Sequence, residues 1–283
     1  MPKISLSTWS FFLKMNYQRA MNFAVRNGFE GLEIWSNAFD FWPRTVTSKE
    51  IDTIKAVAAH NHLALAVHFC TIGNNLADLN SGHLHESINQ LKETIRLCRR
   101  IGGQLVVVHP GAYPEIITHE QRFVNPRLTT AALKQEALER FKKSLQEVAL
   151  FAESHDVVIG LENCGVTEEG LLSGIEDLAE WVDEINNPSL QITLDIGKAK
   201  QRDGVAKAIH LLEHRIKHIH LYDLNGDGAG HQEVGTGDVD WKAIAPFLRA
   251  FSGMLSLEVA VREDLEGAVL RSKAFLENLL AEE

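Results

Sequence analysis

Six apolar segments of this chain run into residues that can hold a metal ion or move a proton. Ala64-Leu65-Ala66-Val67 leads into His68, Val106-Val107-Val108 into His109, and Ile159-Gly160-Leu161 into Glu162. Ile192-Thr193-Leu194 leads into Asp195, His218-Ile219 into His220, and Leu255-Ser256-Leu257 into Glu258. One His or Glu at such a position reads most simply as a hydrogen-bonded core or rim group. Six in succession argue for a metal or polar catalytic centre. Three carboxylates and three imidazoles gathered in one place would be costly to bury alone, and a divalent cation would neutralise them. Mixed oxygen and imidazole ligation suits Mn²⁺, Zn²⁺, Co²⁺ or Mg²⁺, with Mn²⁺ the first expectation.

These residues need elements that bring them together. Short β-rich segments are expected at Lys3–Trp9, Gly31–Ser36, Leu63–Phe69, Gln104–His109, Val157–Asn163, Leu190–Ile196, Ile216–Asp223 and Met254–Ala260. They are apolar almost throughout, as parallel strands covered on both faces are. Helical patterns are expected between them at Asn16–Asn27, Ser48–Asn61, His83–Ile101, Thr129–His155, Ile175–Ile185, Gly204–Glu213, Asp240–Phe251 and Leu265–Leu280. In the fourth, Leu133, Ala137, Leu138, Phe141, Leu145, Val148 and Ala149 recur at the spacing of one buried face. Strict β/α alternation over 283 residues, without a linker or low-complexity tract, predicts an α/β fold: one (β/α)8 TIM barrel spanning 1–283. An open doubly wound sheet is the rival. Its nucleotide-binding form is disfavoured because Ser7-Thr8-Trp9-Ser10-Phe11-Phe12 lacks the glycine fingerprint.

In a barrel the C-terminal strand ends converge on one mouth, where active sites of this architecture lie. The period of two puts Val107, Gly160, Thr193, His218 and Ser256 on the same face one layer deeper. His218 therefore reads as a buried structural residue, and Cys70 as a small buried thiol. The segment Pro110–Pro126, with Gly111, Tyr113 and Pro114, is long for a connection, and reads as a lid over a pocket or a neutral insertion.

Composition narrows the partners. Twenty-eight Lys+Arg against 38 Asp+Glu leave a net charge of −10, so nucleic-acid binding by general phosphate neutralisation is disfavoured. No apolar run is long enough for a membrane span, and no secretory signal is expected at the start. Cys70, Cys98 and Cys164 are sparse and widely spaced, which fits a reducing, cytoplasmic setting and excludes a disulfide scaffold. The exposed helices of a barrel leave room for a homo-oligomer.

The chain resembles the xylose isomerase-like TIM-barrel superfamily, which includes sugar isomerases and epimerases, inosose dehydratases and endonuclease IV. The resemblance lies in His109-Pro110-Gly111, Leu161-Glu162-Asn163, Leu194-Asp195-Ile196-Gly197, His218-Ile219-His220-Leu221-Tyr222-Asp223 and the segment His231–Trp241. It implies a central metal held by Glu162, Asp195, His220 and Glu258, and, from the endonuclease IV branch, a second metal at His68 and His109. That branch also needs a His where Lys198 stands and an Asp where Ala229 stands, with only His231 kept. A third ion, and trinuclear phosphodiester cleavage with it, is therefore not expected.

The resemblance implies isomerisation or epimerisation of a polyhydroxylated carbonyl compound through a metal-stabilised enediolate. Glu162 and Glu258 would exchange the proton, while Asp195 and His220 would serve as ligands only. Lys198, His68, His109, His231 and Trp35 are the candidate contacts to a small carbohydrate substrate. Lys198 could hold a carboxylate, phosphate or enediolate oxygen as a point charge, or be a solvated loop residue. Trp9, Trp35 and Trp42 read as apolar walls or as core packing, and Glu33 as a hydrogen-bonding partner for His68. The alternatives are an endonuclease IV-like metal-dependent phosphodiesterase, an inosose-type dehydratase, and a barrel that keeps a metal without catalysis.

Overall fold

The computed structural model describes residues 2–12, 14–113, 130–164, 170–226 and 230–282. Eight parallel strands close in sequence order into a barrel. They are β1 (Lys3–Ser7), β2 (Gly31–Trp35), β3 (Ala64–His68), β4 (Leu105–Val108), β5 (Val158–Glu162), β6 (Leu190–Asp195), β7 (Ile216–Leu221) and β8 (Met254–Leu257). Each falls inside its expected segment and is shorter, because the residues at the ends turn away from the ladder.

Around the barrel stand α1 (Tyr17–Arg26), α2 (Ser48–His60), α3 (Ser81–Ile101), α4 (Thr130–Glu153) and α5 (Ile175–Ile185). They are followed by α6 (Ile196–Arg202), α7 (Val205–Leu212), α8 (Trp241–Ala250) and α9 (Leu265–Ala281). The starts are capped by short polar side chains. Asn16 accepts from Arg19 N, Asn80 from Gly82 N, and Thr47 with Glu50 forms a reciprocal capping box. The end of α3 is closed by Gly102 at φ 89°, a conformation that glycine adopts without a Cβ penalty. The seven-residue α6 and a 3₁₀ turn at Thr8–Phe11 were not expected from the sequence. Both are too short to display helical periodicity.

Alternation along the strands divides the molecule. Ile4, Leu6, Leu32, Ile34, Val67, Val106, Val108, Ile159, Leu161, Leu194, Ile219, Leu255 and Leu257 point outward into one continuous core with the helices. Inside the barrel, Ala66, Leu105, Val107 and Met254 form a separate small apolar plug. Most other interior positions are polar and buried: Ser5, Ser7, Glu33, His68, Glu162, Thr193, Asp195, His218, His220 and Ser256. No hydrophobic driving force selects that set. Among the described residues no helix is long and apolar enough to cross a membrane.

Candidate active site

Strand register builds the site. Glu162 stands beside Thr193, Asp195 beside His220, and His220 beside Ser256, so the C-terminal ends of β5 to β8 are brought together at the mouth. His68 ends β3. His109 follows β4 by one residue, and its side chain is 34% exposed at the mouth. Glu258 likewise follows β8 and is buried.

Glu162 is the hub. Its Oε1 lies 3.3 Å from His220 Nδ1, and its Oε2 lies 3.0 Å from His109 Nε2 and 3.4 Å from His68 Nε2. The same His220 Nδ1 is 3.5 Å from Glu258 Oε2. Ligand atoms of Glu162, Asp195 and His220 lie within 4.8 Å of one another, and so do those of His68, His109 and Glu162. Glu162 Oε2 is buried and lacks a well-aligned hydrogen bond to either neighbouring ring.

The tautomers sharpen this. His68 Nδ1 lies 2.9 Å from the carbonyl of Phe69, which can only accept. The neutral ring must donate there and present its Nε2 lone pair to Glu162 Oε2. His220 Nε2 faces Glu33 Oε2 at 2.9 Å, so its neutral form presents the Nδ1 lone pair to Glu162 and Glu258. Acceptors facing acceptors in a buried site are the arrangement that a cation satisfies. The residues present therefore fit a divalent metal at Glu162, Asp195, His220 and Glu258, and offer a neighbouring place for one at His68 and His109.

Protonation follows the same crowding. Burial pushes the carboxyl of Glu162 up, but His109 and His220 outweigh it and hold that group well below the usual carboxylate range. Burial and Glu162 push Asp195 up to about 6. Burial pushes Glu258 up to about 7, with Glu33 and Glu162 adding to the rise against His220. Without a cation, burial would lower His220, yet Glu258, Glu33 and Glu162 hold it well above the ordinary imidazole value, so a proton on Nδ1 meets the charge of Glu162 and Glu258; a metal ion at Nδ1 would take that proton's place.

Asp195 is fixed from three sides. Its side chain caps α6 by accepting from Lys198 N at 2.7 Å, and Tyr222 donates to it at 3.1 Å. Its backbone is clamped by both groups of the Asn163 amide. Gly197 is required here: a Cβ would stand 2.0 Å from the Tyr222 ring. Lys198 thus sits on the first turn of α6, and its ammonium has no hydrogen bond or ion pair among the described residues.

His231 is held in the left-handed region, at φ 59°, where a non-glycine residue is strained. Its ring is stacked on Tyr222 and tilted against Trp9, with Nδ1 2.8 Å from the carbonyl of Glu258. That carbonyl makes Nδ1 the donor, and burial pushes the ring down to about 4, so at neutral pH Nε2 is an acceptor with no hydrogen bond among the described residues. Trp35 is buried and meets Phe12 edge-on. Both line a cleft of about 400 Å³ at the rim with Thr8, Asn37 and Phe39. Among the described residues, Trp42 shares no hydrogen bond or ring contact with the cluster. Cys70 is buried, with its thiol near the carbonyl of Ile72.

One expectation needs correction. Glu33 does not serve His68: β2 pairs with β3, but Glu33 lies opposite Ala66, two residues short of His68. Its carboxylate instead meets His218 Nε2 at 2.6 Å and His220 Nε2 at 2.9 Å across the barrel, and Ser7 Oγ donates to it at 2.9 Å. Residues 114–129 and Ala229 lie outside the described residues, and with them most of the expected lid. Ser7, Asn163 and Tyr222 escaped the sequence reading. Ser7 and Tyr222 continue the period of two of their strands, and Asn163 directly follows Glu162.

Fold and site together define a closed β/α barrel with a buried carboxylate–imidazole cluster at its C-terminal mouth. The chain belongs to the xylose isomerase-like TIM barrel family, whose profile matches residues 21–279. It is 28% identical over 221 residues to an uncharacterised protein of Methanocaldococcus jannaschii, covering 72% of this chain and 67% of that one. A D-psicose 3-epimerase of Enterocloster bolteae is 31% identical over 117 residues, 41% of this chain and 37% of that enzyme. A probable endonuclease 4 of a Thermotoga species is 25% identical over 260 residues, 83% of each chain. Among solved structures, a D-tagatose 3-epimerase-like protein superposes with a TM-score of 0.80 at 24% identity, covering 98% of this chain and 97% of that one. D-Psicose 3-epimerase from Clostridium cellulolyticum H10 gives 0.80 at 17%, covering 98% and 99%. At these identities the superpositions establish the fold.

Proposed function

We propose that the protein is a divalent-metal-dependent epimerase or isomerase of a sugar or sugar-like polyol ketone. The observation that carries this reading is the cluster around Glu162, where His220 Nδ1 lies between the carboxylates of Glu162 and Glu258 at 3.3 and 3.5 Å. Glu162, Asp195, His220 and Glu258 would hold the ion, with Mn²⁺ the first candidate. Such an ion would polarise a substrate carbonyl and its neighbouring hydroxyl, acidifying the C–H between them. Glu162 and Glu258, from β5 and the end of β8, both approach His220 Nδ1; one would remove the proton and the other return it. Asp195, fixed by Tyr222 and Lys198 N, orients without exchanging protons. His231 Nε2 accepts a substrate hydroxyl, Lys198 supplies a positive charge at the rim, and Trp35 walls the apolar side. The folds shared with sugar 3-epimerases, and the partial match to a D-psicose 3-epimerase, support the same class.

The test is a panel of ketoses, uronates and inososes with and without Mn²⁺, followed by Glu162→Gln and Glu258→Gln on the best substrate. Each variant should lose at least 10³-fold in kcat, within the range general acid–base catalysis supplies, with little change in substrate binding. Wild-type turnover in both would refute the assignment. A second reading, metal-dependent phosphodiester cleavage, is favoured by the His68–His109–Glu162 group and by the endonuclease 4 relatives. Incision of an abasic-site oligonucleotide by the pure protein would select it.

A further inference from the structure

We propose that Glu33 is a positioning residue for the centre: it fixes the ring of His220 so that Nδ1 is the nitrogen offered to Glu162 and Glu258. This rests on the metal reading above and adds a residue that would not touch the ion. Glu33 is fully buried inside the barrel on β2. Its Oε2 takes His218 Nε2 at 2.6 Å and His220 Nε2 at 2.9 Å, and its Oε1 takes the Ser7 hydroxyl at 2.9 Å. A carboxylate can only accept, so both imidazoles must carry their proton on Nε2. The alternative His220 tautomer would set a lone pair against that carboxylate. Ser7 Oγ also lies 3.2 Å from Glu258 Oε1. One side chain thus reaches two of the four proposed ligands, His220 directly and Glu258 through a single hydroxyl.

Glu33, His218 and His220 also bring possible ligand atoms within 4.8 Å. They do not leave room for an ion of their own, because the 2.6 and 2.9 Å contacts are already hydrogen bonds to one shared oxygen. A carboxylate on the far nitrogen of a ligating histidine sets its orientation and raises its basicity, and losing it costs 10–100-fold in metal affinity.

Free Mn²⁺ is measured by electron paramagnetic resonance during titration of chelator-stripped protein, alongside the melting temperature of the metal-free form. Glu33→Gln keeps the shape and removes the charge; it should weaken Mn²⁺ binding about tenfold, and Glu33→Ala by up to about 100-fold. His218→Gln disturbs the same oxygen but no ligand, and should lower the melting temperature while leaving Mn²⁺ affinity within twofold. If Glu33→Ala does not fold, Ser7→Ala replaces it and should weaken binding severalfold through Glu258. Wild-type binding with unchanged affinity in Glu33→Gln and in Glu33→Ala or Ser7→Ala overturns this inference alone. No Mn²⁺ binding by the wild type overturns the metal reading, and this inference with it.

Discussion

Gly197→Ala tests how tightly the α6 turn is bound to the site. The added Cβ would fall 2.0 Å from Tyr222 Cε2, 2.3 Å from Cζ and 2.7 Å from the hydroxyl. Carbon atoms in contact sit about 3.5 Å apart, so ring or helix must yield by about 1.5 Å. The ring has nowhere to go: it is fully buried and stacked on His231 at a centroid distance of 4.0 Å. A displacement of that size breaks the 3.1 Å bond from Tyr222 to Asp195. Overpacking costs about 1–3 kcal/mol. Losing a hydroxyl–carboxylate bond costs about 1.5–3 kcal/mol. Alanine returns about 1 kcal/mol of helix propensity over glycine. The net loss is about 1.5–5 kcal/mol, or about 3–10 °C at roughly 2 °C per kcal/mol for a chain of this size. Calorimetric melting of metal-free wild type and variant reads it directly. A cycle with Tyr222→Leu should give a coupling above about 1 kcal/mol, since the smaller side chain relieves the clash. A variant that melts within 1 °C of wild type would show that the close approach does not constrain Asp195.

Two further outcomes concern the scaffold. Tyr17 is raised far above an ordinary phenol, first by burial and then by Glu50, so folding favours its neutral form. A raised folded value means its stabilising contribution is complete below pH 10 and is lost as pH rises beyond it. Wild type should therefore lose melting temperature more steeply than Tyr17→Phe above pH 10; parallel curves would contradict this. Thr47→Ala removes the hydroxyl that accepts from Glu50 N in the capping box of α2. It should cost about 1 kcal/mol in urea unfolding, with the slope unchanged.

The barrel was legible because its strands are apolar on the outward face and interrupted by polar residues at one end. His68, Glu162, Asp195 and His220 could be aligned from that pattern, since the first three close their strands, His220 lies one residue before the end of its own, and alternation fixes their direction. Glu33 was visible as a buried acid but not its partner. Pairing between neighbouring strands suggests a nearby residue on β3, whereas the closed interior lets β2 reach β7. That is a consequence of barrel diameter, and no local pattern encodes it. The turn at Ile196–Arg202 was missed because seven residues give two turns at most, and its cap is Asp195, a residue already assigned to the strand. Tyr222 was quoted only within a motif, although positions 218, 220 and 222 share a face.

The most direct measurement is a calorimetric titration of chelator-stripped protein with Mn²⁺, repeated on Asp195→Asn. Saturable binding is expected at a site that Asp195→Asn weakens strongly, with a rise in melting temperature that tracks occupancy. At 100 times the dissociation constant that stabilisation is about 2.7 kcal/mol, or about 5 °C. Wild type that takes up no Mn²⁺, Zn²⁺, Co²⁺ or Mg²⁺, and melts at one temperature with or without them, would contradict a metal centre at this mouth.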